Sequence, residues 1–322
     1  GAVVSGPRGE RGRTRLDEAL AGASAATGRS LHVVSATMTD SGKLLARVAD
    51  DRRQQRFLLR VAGGSSGALI ESAAASTRLL SAPAVAPAVR ERVVAPLAVG
   101  AVGGVRYALE AEAAGRHPRR MTGALWDDCL EFLVALHAAD GHPAPDADGV
   151  RAIVADDVRL VAPALEARGL ERLQRLADGL AERLAAVPLG WAHGDFWPQN
   201  LLVRSQRLTA VIDWDDAAAG RLPLLDLLDL RGVSDPGTRR LTPGPRLERV
   251  LLPLARRSGD EPIRRYCAAT GIPAEPELLE ALVLGWWLQR VAHDLRDCPD
   301  KLARPRWLED NVAAPLAVLA AR

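Results

Sequence analysis

Near the middle of the chain runs Trp191-Ala192-His193-Gly194-Asp195-Phe196-Trp197-Pro198-Gln199-Asn200-Leu201-Leu202-Val203, and Val211-Ile212-Asp213-Trp214 follows shortly after. An Asp, an Asn and a second Asp in this order suit the movement of a phosphoryl group. That reaction asks for a positioned hydroxyl, Mg²⁺ between the phosphates, and compensation of charge on the group in transfer. The segment offers all but the last. Hard divalent cations favour oxygen ligands, keep several waters and borrow the rest from phosphates, so two protein ligands suffice; Asn200 and Asp213 are the candidates. Asp195 is left to orient, and to deprotonate, an accepting hydroxyl. Taken singly, each of these residues is more often a turn former that bonds its own backbone. The ordered pattern, with apolar runs on both sides, argues otherwise.

Those runs supply the positioning. Ala186, Val187, Leu189 and Trp191 lead into the loop, Leu201-Leu202-Val203 leaves it, and Leu208-Thr209-Ala210-Val211-Ile212 delivers Asp213. Both later runs are strand-like, and Ser205-Gln206-Arg207 is short and polar enough for a turn. A hairpin therefore presents Asp195, Asn200 and Asp213 together. At this point the sequence resembles the aminoglycoside phosphotransferase and choline kinase family, the small-molecule branch of the protein-kinase-like fold. Its catalytic segment reads His-Gly-Asp, four variable residues, Asn, then Ile-Asp-Trp or Ile-Asp-Phe on the next strand. The resemblance implies a catalytic base at Asp195, metal ligands at Asn200 and Asp213, and ATP or GTP with Mg²⁺ as cofactors. Gly220 and Asp226 match a later family feature, with Asp226 read as a structural brace for the catalytic loop.

The same resemblance implies an α+β, bilobal fold: a small antiparallel-sheet N-terminal lobe and a larger, mainly helical C-terminal lobe. The expected boundaries are a nucleotide-binding lobe over 1–110, a hinge over 111–115 and a catalytic, acceptor-binding lobe over 116–322. Upstream, strand-like runs Leu31–Met38 and Leu44–Val48 flank Thr39-Asp40-Ser41-Gly42-Lys43, a hairpin tip whose backbone N–H groups suit phosphate. Arg56–Val61 reads as a third strand, and Ser65-Ser66 as the N-cap of a helix holding Glu71. Arg60 and Glu71 are assigned to the ion pair that orients nucleotide phosphates in kinases, with Lys43 as an added phosphate contact. Many relatives have Lys at the strand position, whereas Lys occurs here only as Lys43 and Lys301; Arg is bulkier and bidentate, so the exchange is not neutral. A strand pair, Val93–Val99 and Gly104–Glu110, leads to the hinge, where Glu110 and Ala113 are expected to face the adenine edge.

Downstream, Met121–Ala139 reads as an amphipathic helix ending at His137, a packing residue. Pro143–Asp148 is a loop, Val150–Leu184 returns to helical periodicity, and the chain after Leu230 is helical with breaks at 232–245 and 259–262. Trp286 and Trp287 are candidates to flank a sugar or nucleoside ring, yet a Trp pair at helical spacing is more often core. Asp215, Asp216, Asp294, Glu309 and Asp310 are available to the amino groups of a cationic acceptor.

At 322 residues and 48% hydrophobic, the chain supports two cores. A formal net charge of +2 with scattered Arg clusters leaves no footprint for nucleic acid. No stretch spans a membrane, the start lacks a secretory block, and Cys129, Cys267 and Cys298 have no metal-ligand spacing. A cytoplasmic location is expected, and the Arg- and Ala-rich, Lys-poor composition suggests a high-GC genome, compatible with a bacterial natural-product producer; a role in antibiotic resistance or biosynthesis is what the family resemblance implies. The leading function is O-phosphorylation of a small hydroxylated acceptor such as an antibiotic, amino sugar, nucleoside or amino alcohol. The alternatives are a Ser/Thr kinase of a peptide precursor and a non-catalytic kinase-like partner.

Overall fold

In the computed structural model, residues 7–39, 42–50, 52–139, 141, 144–235 and 237–320 are described. Along the chain the elements are α1 (Pro7–Thr27), β1 (Leu31–Met38), β2 (Leu44–Asp50), β3 (Gln55–Gly63), α2 (Gly64–Leu80), α3 (Pro87–Arg90), β4 (Pro96–Val102) and β5 (Val105–Ala111). Next come α4 (Gly123–His137), β6 (Ala144–Pro145), α5 (Ala147–Val161), α6 (Ala167–Arg183), β7 (Pro188–Ala192), β8 (Leu201–Arg204), β9 (Arg207–Val211) and β10 (Ala218–Arg221). The remainder is helical: α7 (Leu225–Ser234), α8 (Pro243–Arg246), α9 (Leu252–Ala255), α10 (Glu261–Thr270), α11 (Pro276–Asp297), α12 (Pro305–Leu308) and α13 (Ala314–Ala320). Two compact units result, one of Gly1–His117 with Asn200–Ala217, the other of Pro118–Gln199 with Ala218–Arg322.

The first unit is built on an antiparallel sheet in the order β1-β2-β3-β5-β4. Side chains alternate between its faces. Ala46, Val48, Phe57, Leu59, Val61, Val105, Tyr107 and Leu109 form one apolar core with Leu16, Ala19 and Ala23 of α1. Small residues four apart on α1 let it lie close to the sheet, a helix that the sequence reading did not foresee. The opposite face carries Arg60, Ala62, Ala108 and Glu110 by the same alternation, and Ile70 of α2 packs there against Ala62 and Ala108. Helix α2 has Gly63 as its N-cap, with no side-chain cap bond; Ser65 and Ser66 lie in its first turn instead of capping it. Asp40 and Ser41 of the expected hairpin tip lie outside the described residues.

The hairpin β8–β9 belongs by its contacts to this first unit, although the sequence reading placed it in the larger lobe. Backbone bridges join Arg116 to Val203 and Val93 to Val211, and Thr209 Oγ1 donates to the Ala114 carbonyl at 2.7 Å. These tertiary pairings are invisible to local patterning.

In the second unit, Thr122 caps α4 by accepting from the Leu125 N–H at 3.4 Å, and Leu125, Cys129, Phe132, Leu133 and Leu136 bury one face. The Val150–Leu184 periodicity resolves into two helices interrupted around Pro163, whose ring and missing N–H end a helix. Part of the expected loop forms strand β6; Pro143 lies outside the described residues. Helix α7 continues through Gly232, so the break begins later than expected. Trp286 and Trp287 of α11 are fully buried; their indole N–H groups donate to Asp229 and to the Asn311 carbonyl, each at 2.9 Å. Among the described residues no helix is long and apolar enough to cross a membrane.

Candidate active site

Strand β7 enters the His193-Gly194-Asp195 loop. Gly190, within it, lies so close to α4 that an added Cβ would meet the His137 carbonyl at 2.2 Å, which explains a glycine in a buried strand and the packing role of His137. Gly194 turns the chain at φ +83°. Asp226, in the first turn of α7, braces this turn: its carboxylate accepts from the His193 N–H at 2.7 Å and from the Gly194 N–H at 2.9 Å. Two backbone donors are thereby satisfied in a buried place. Phe196 is buried beneath the loop and stacks on Phe132 with ring centroids 5.6 Å apart. Asp195 is thus carried on a loop fixed from two directions.

The Asp195 carboxylate accepts from Arg290 of α11 at 2.5 Å. The same guanidinium lies 3.4 Å from Asp229, which also takes the Trp286 N–H. Burial pushes the Asp229 pKa from 3.8 up to about 6, partly offset by Arg290. An Asp that ionises near 3.8 when unfolded holds its proton longer in the native state, so native protein binds more protons between these values and stability falls as pH rises through them. At about 1.4 kcal/mol per unit, this amounts to about 3 kcal/mol. Asp229→Asn is therefore expected to gain stability relative to the parent by up to about that amount between pH 4 and pH 7, read from urea midpoints. Parallel pH profiles for the two proteins would contradict it.

Asp195, Trp197, Asp229, Arg246 and Arg290 line a cavity of about 390 Å³ in this second unit, within the range of small-ligand pockets. Arg290, Asp229, Arg246 and Trp197 had not been singled out from sequence. Arg290 sits amid an apolar helix with no local signal. Trp197 was legible only as a variable position of the loop.

In the first unit, Ser205 and Gln206 adopt φ +50° and +63°, a two-residue turn that matches strand twist. The hairpin so formed ties Asn200 to the end of β9, because the Ile212 N–H donates to the Asn200 carbonyl at 2.9 Å. Asp213 follows at φ +63°, while the Asn200 side chain is buried. Arg60 is buried on β3. It pairs with Asp215 and, at 3.5 Å, with Glu110, whose strand position is diagonal to it across β5. Lys43 also pairs with Asp215. Burial opposes the charge on Arg60, but Asp215, Glu110 and Asp213 outweigh it and raise its pKa. Burial raises Glu110, against the pull of Arg60. For Asp215 burial is outweighed by Arg60 and Lys43, and its pKa falls.

The expected Arg60–Glu71 pair is corrected. Glu71 pairs with Arg106 at 2.5 Å, with side chains 48% and 40% exposed respectively. Helix α2 buries Gly67, Ile70, Ala73, Ala74 and Thr77, a stripe that leaves Glu71 off the face covering the sheet. Asp215 occupies the place assigned to Glu71. It had been noted only as a contact for a cationic acceptor, a role its two cationic partners make unsuitable. Ala113 lies half-buried after β5, in a stretch without regular structure.

Residues 45–282 match the phosphotransferase enzyme family. No curated protein matches in sequence. Among solved structures, the chain is similar to macrolide 2'-phosphotransferase MphH from Brachybacterium faecium, at 18% identity and a TM-score of 0.59, covering 91% of this chain and 98% of that one. It is similar to APH(2")-IIa in complex with gentamicin, at 16% identity and a TM-score of 0.57, covering 92% and 94%. Spectinomycin phosphotransferase APH(9)-Ia, in complex with ADP and spectinomycin, matches at 13% identity and a TM-score of 0.52, covering 92% and 96%. At these identities the likeness speaks for the fold.

Proposed function

The chain belongs to the phosphotransferase enzyme family, and on that premise we propose that it transfers the γ-phosphoryl group of a nucleoside triphosphate to a hydroxyl of a small molecule. The observation that supports this most is Asp195, held by the Asp226 brace and facing a cavity sized for a small ligand. That volume also favours a small acceptor over a peptide. In this reading Asp195 accepts the hydroxyl proton as the oxygen attacks phosphorus. Arg290 keeps the carboxylate oriented, and its charge compensates the negative charge that the transferring group brings.

Asn200 and Asp213 are the residues that would hold Mg²⁺. An amide oxygen and a carboxylate on adjoining ends of one hairpin fit the demand of a hard cation for oxygen donors. When bound, the ion supplies charge neutralisation on the nucleotide phosphates. Lys43 and Arg60 are the phosphate contacts in this proposal, with Asp215 and Glu110 holding Arg60 in place; Glu110 and Ala113 mark the adenine edge. Glu71, exposed and paired with Arg106, is left out of the phosphate contacts. ATP and GTP both suit this arrangement, and a cytoplasmic setting suits three free cysteines.

Titration with Mg²⁺ and ATP or GTP tests the reading. At a hundred times its dissociation constant, a nucleotide stabilises the native state by about 2.7 kcal/mol, visible as a rise in Tm. An unmoved Tm with both nucleotides would favour a non-catalytic kinase-like binding protein.

A further inference from the structure

We propose that the acceptor is a hydroxylated ring compound bearing an anionic group, a carboxylate or a phosphate, which Arg246 receives in the cavity beside Asp195. The proposal rests on the phosphotransferase reading of that cavity and deepens it. Three cations, Arg246, Arg290 and Lys301, and three carboxylates, Asp195, Asp229 and Asp294, line the space. The carboxylates are already engaged. Arg290 serves Asp195 at 2.5 Å and Asp229 at 3.4 Å, and Lys301 serves Asp294 at 3.1 Å. An amino group entering here would have to displace a cation to find a counter-charge.

Arg246 is the odd one out. Its side chain is buried, with a relative exposure of 9%. It donates to the Leu241 carbonyl at 2.6 Å and lies 5.9 Å from the centre of the Trp286 ring. Among the described residues, no carboxylate pairs with it and its Nε–H has no hydrogen-bond partner. A buried guanidinium without a paired anion is costly; burial depresses its pKa, and the more distant Asp229 and Asp294 offset this only in part. The position is nonetheless built. Gly232 of α7 leaves room for this side chain, since a Cβ there would meet Arg246 Cδ at 2.4 Å.

The second orphaned donor is the buried indole N–H of Trp197, on the same cavity. Guanidinium and indole are donors only, so both ask for an acceptor-rich ligand. Trp197 and Trp307 also line the cavity, and aromatic side chains pack well against a sugar or other ring.

The test uses the full chain and a matched pyranose series: methyl glucoside, glucosamine, glucuronate and glucose 6-phosphate. Binding is measured by calorimetry without nucleotide, so that it does not depend on catalysis. At least one anionic member is expected to bind about tenfold or more tighter than the neutral and amino members, the scale of a charged hydrogen bond. Whether glucuronate or glucose 6-phosphate is preferred separates carboxylate from phosphate. Arg246→Gln should abolish the preference, and Arg246→Lys should retain part of it. Gly232→Ala, which keeps the charge but displaces the side chain, should weaken it.

Equal or better binding of glucosamine or methyl glucoside overturns the proposal. So does the absence of anion binding at millimolar concentration, or an anionic preference that survives in folded Arg246→Gln. Should that variant not fold, the Lys and Gly232→Ala proteins decide. The Tm titration with Mg²⁺ and nucleotide is run in parallel: a nucleotide response together with a preference for glucosamine rejects the anionic acceptor alone. Anion binding with no nucleotide response rejects phosphoryl transfer alone.

Discussion

Asp195→Asn is expected to lower phosphoryl transfer by a factor of about 10²–10⁴, the usual contribution of a positioned acid-base group. The amide keeps an oxygen for Arg290 to donate to, so the loop and the ion-paired helix stay in register while proton acceptance is lost. Asp195→Ala removes both and should fall at least as far. The distinguishing readout is the split between binding and chemistry. A mass assay of acceptor phosphorylation should show the loss in kcat, whereas the rise in Tm with Mg²⁺ and nucleotide should persist. Turnover at the parental rate in the Asn variant would remove Asp195 from the chemistry.

A comparable loss should follow from a residue that touches no substrate. Asp226 accepts two backbone N–H groups of the His193-Gly194-Asp195 loop in a buried setting. Asp226→Ala leaves both without partners, at about 1–3 kcal/mol for each unsatisfied buried donor. Destabilisation of about 2–6 kcal/mol is expected, measured as a lower urea midpoint, together with reduced kcat because Asp195 is no longer held. Asp226→Asn should fall between, since one carbonyl oxygen cannot replace two carboxylate oxygens and its NH₂ opposes a backbone donor. An unfolding midpoint within error of the parent would show that the brace is dispensable.

The two variants separate what local sequence reveals from what it hides. Asp195, Asn200 and Asp213 stand out as candidates in sequence because they lie within nineteen positions of one another in a chain where strand runs and a turn alternate. Their order on the chain is their order along the loop and hairpin. The brace at Asp226 was legible as a pattern, but its two hydrogen bonds span more than thirty residues. Arg60 was found from its strand, yet its partner was misassigned. Helix α2 follows β3 directly, and Glu71 is the first acid after Arg60; a rotation about the helix axis that no propensity specifies turned it outward. Asp215, 155 residues away, took the place.

Helix α1 shows the opposite failure. Its Ala- and Gly-rich surface has little apolar contrast, because small residues let the helix approach the sheet closely instead of filling a groove with bulk. Periodicity rewards large apolar side chains and overlooks such a contact.

The amino-acid sequence alone therefore determined the antiparallel sheet and the mainly helical remainder, and it set the order of the acidic and amide residues proposed for the chemistry. Each follows from neighbours a few positions apart, through alternation, turn chemistry and motif spacing. Tertiary structure alone decided which charges meet: Arg60 with Asp215 and Glu110, Arg290 with Asp195 and Asp229, and Arg246 with no acid among the described residues. Ion pairs depend on distances of a few ångströms between residues far apart on the chain, and those distances exist only once the cores have packed.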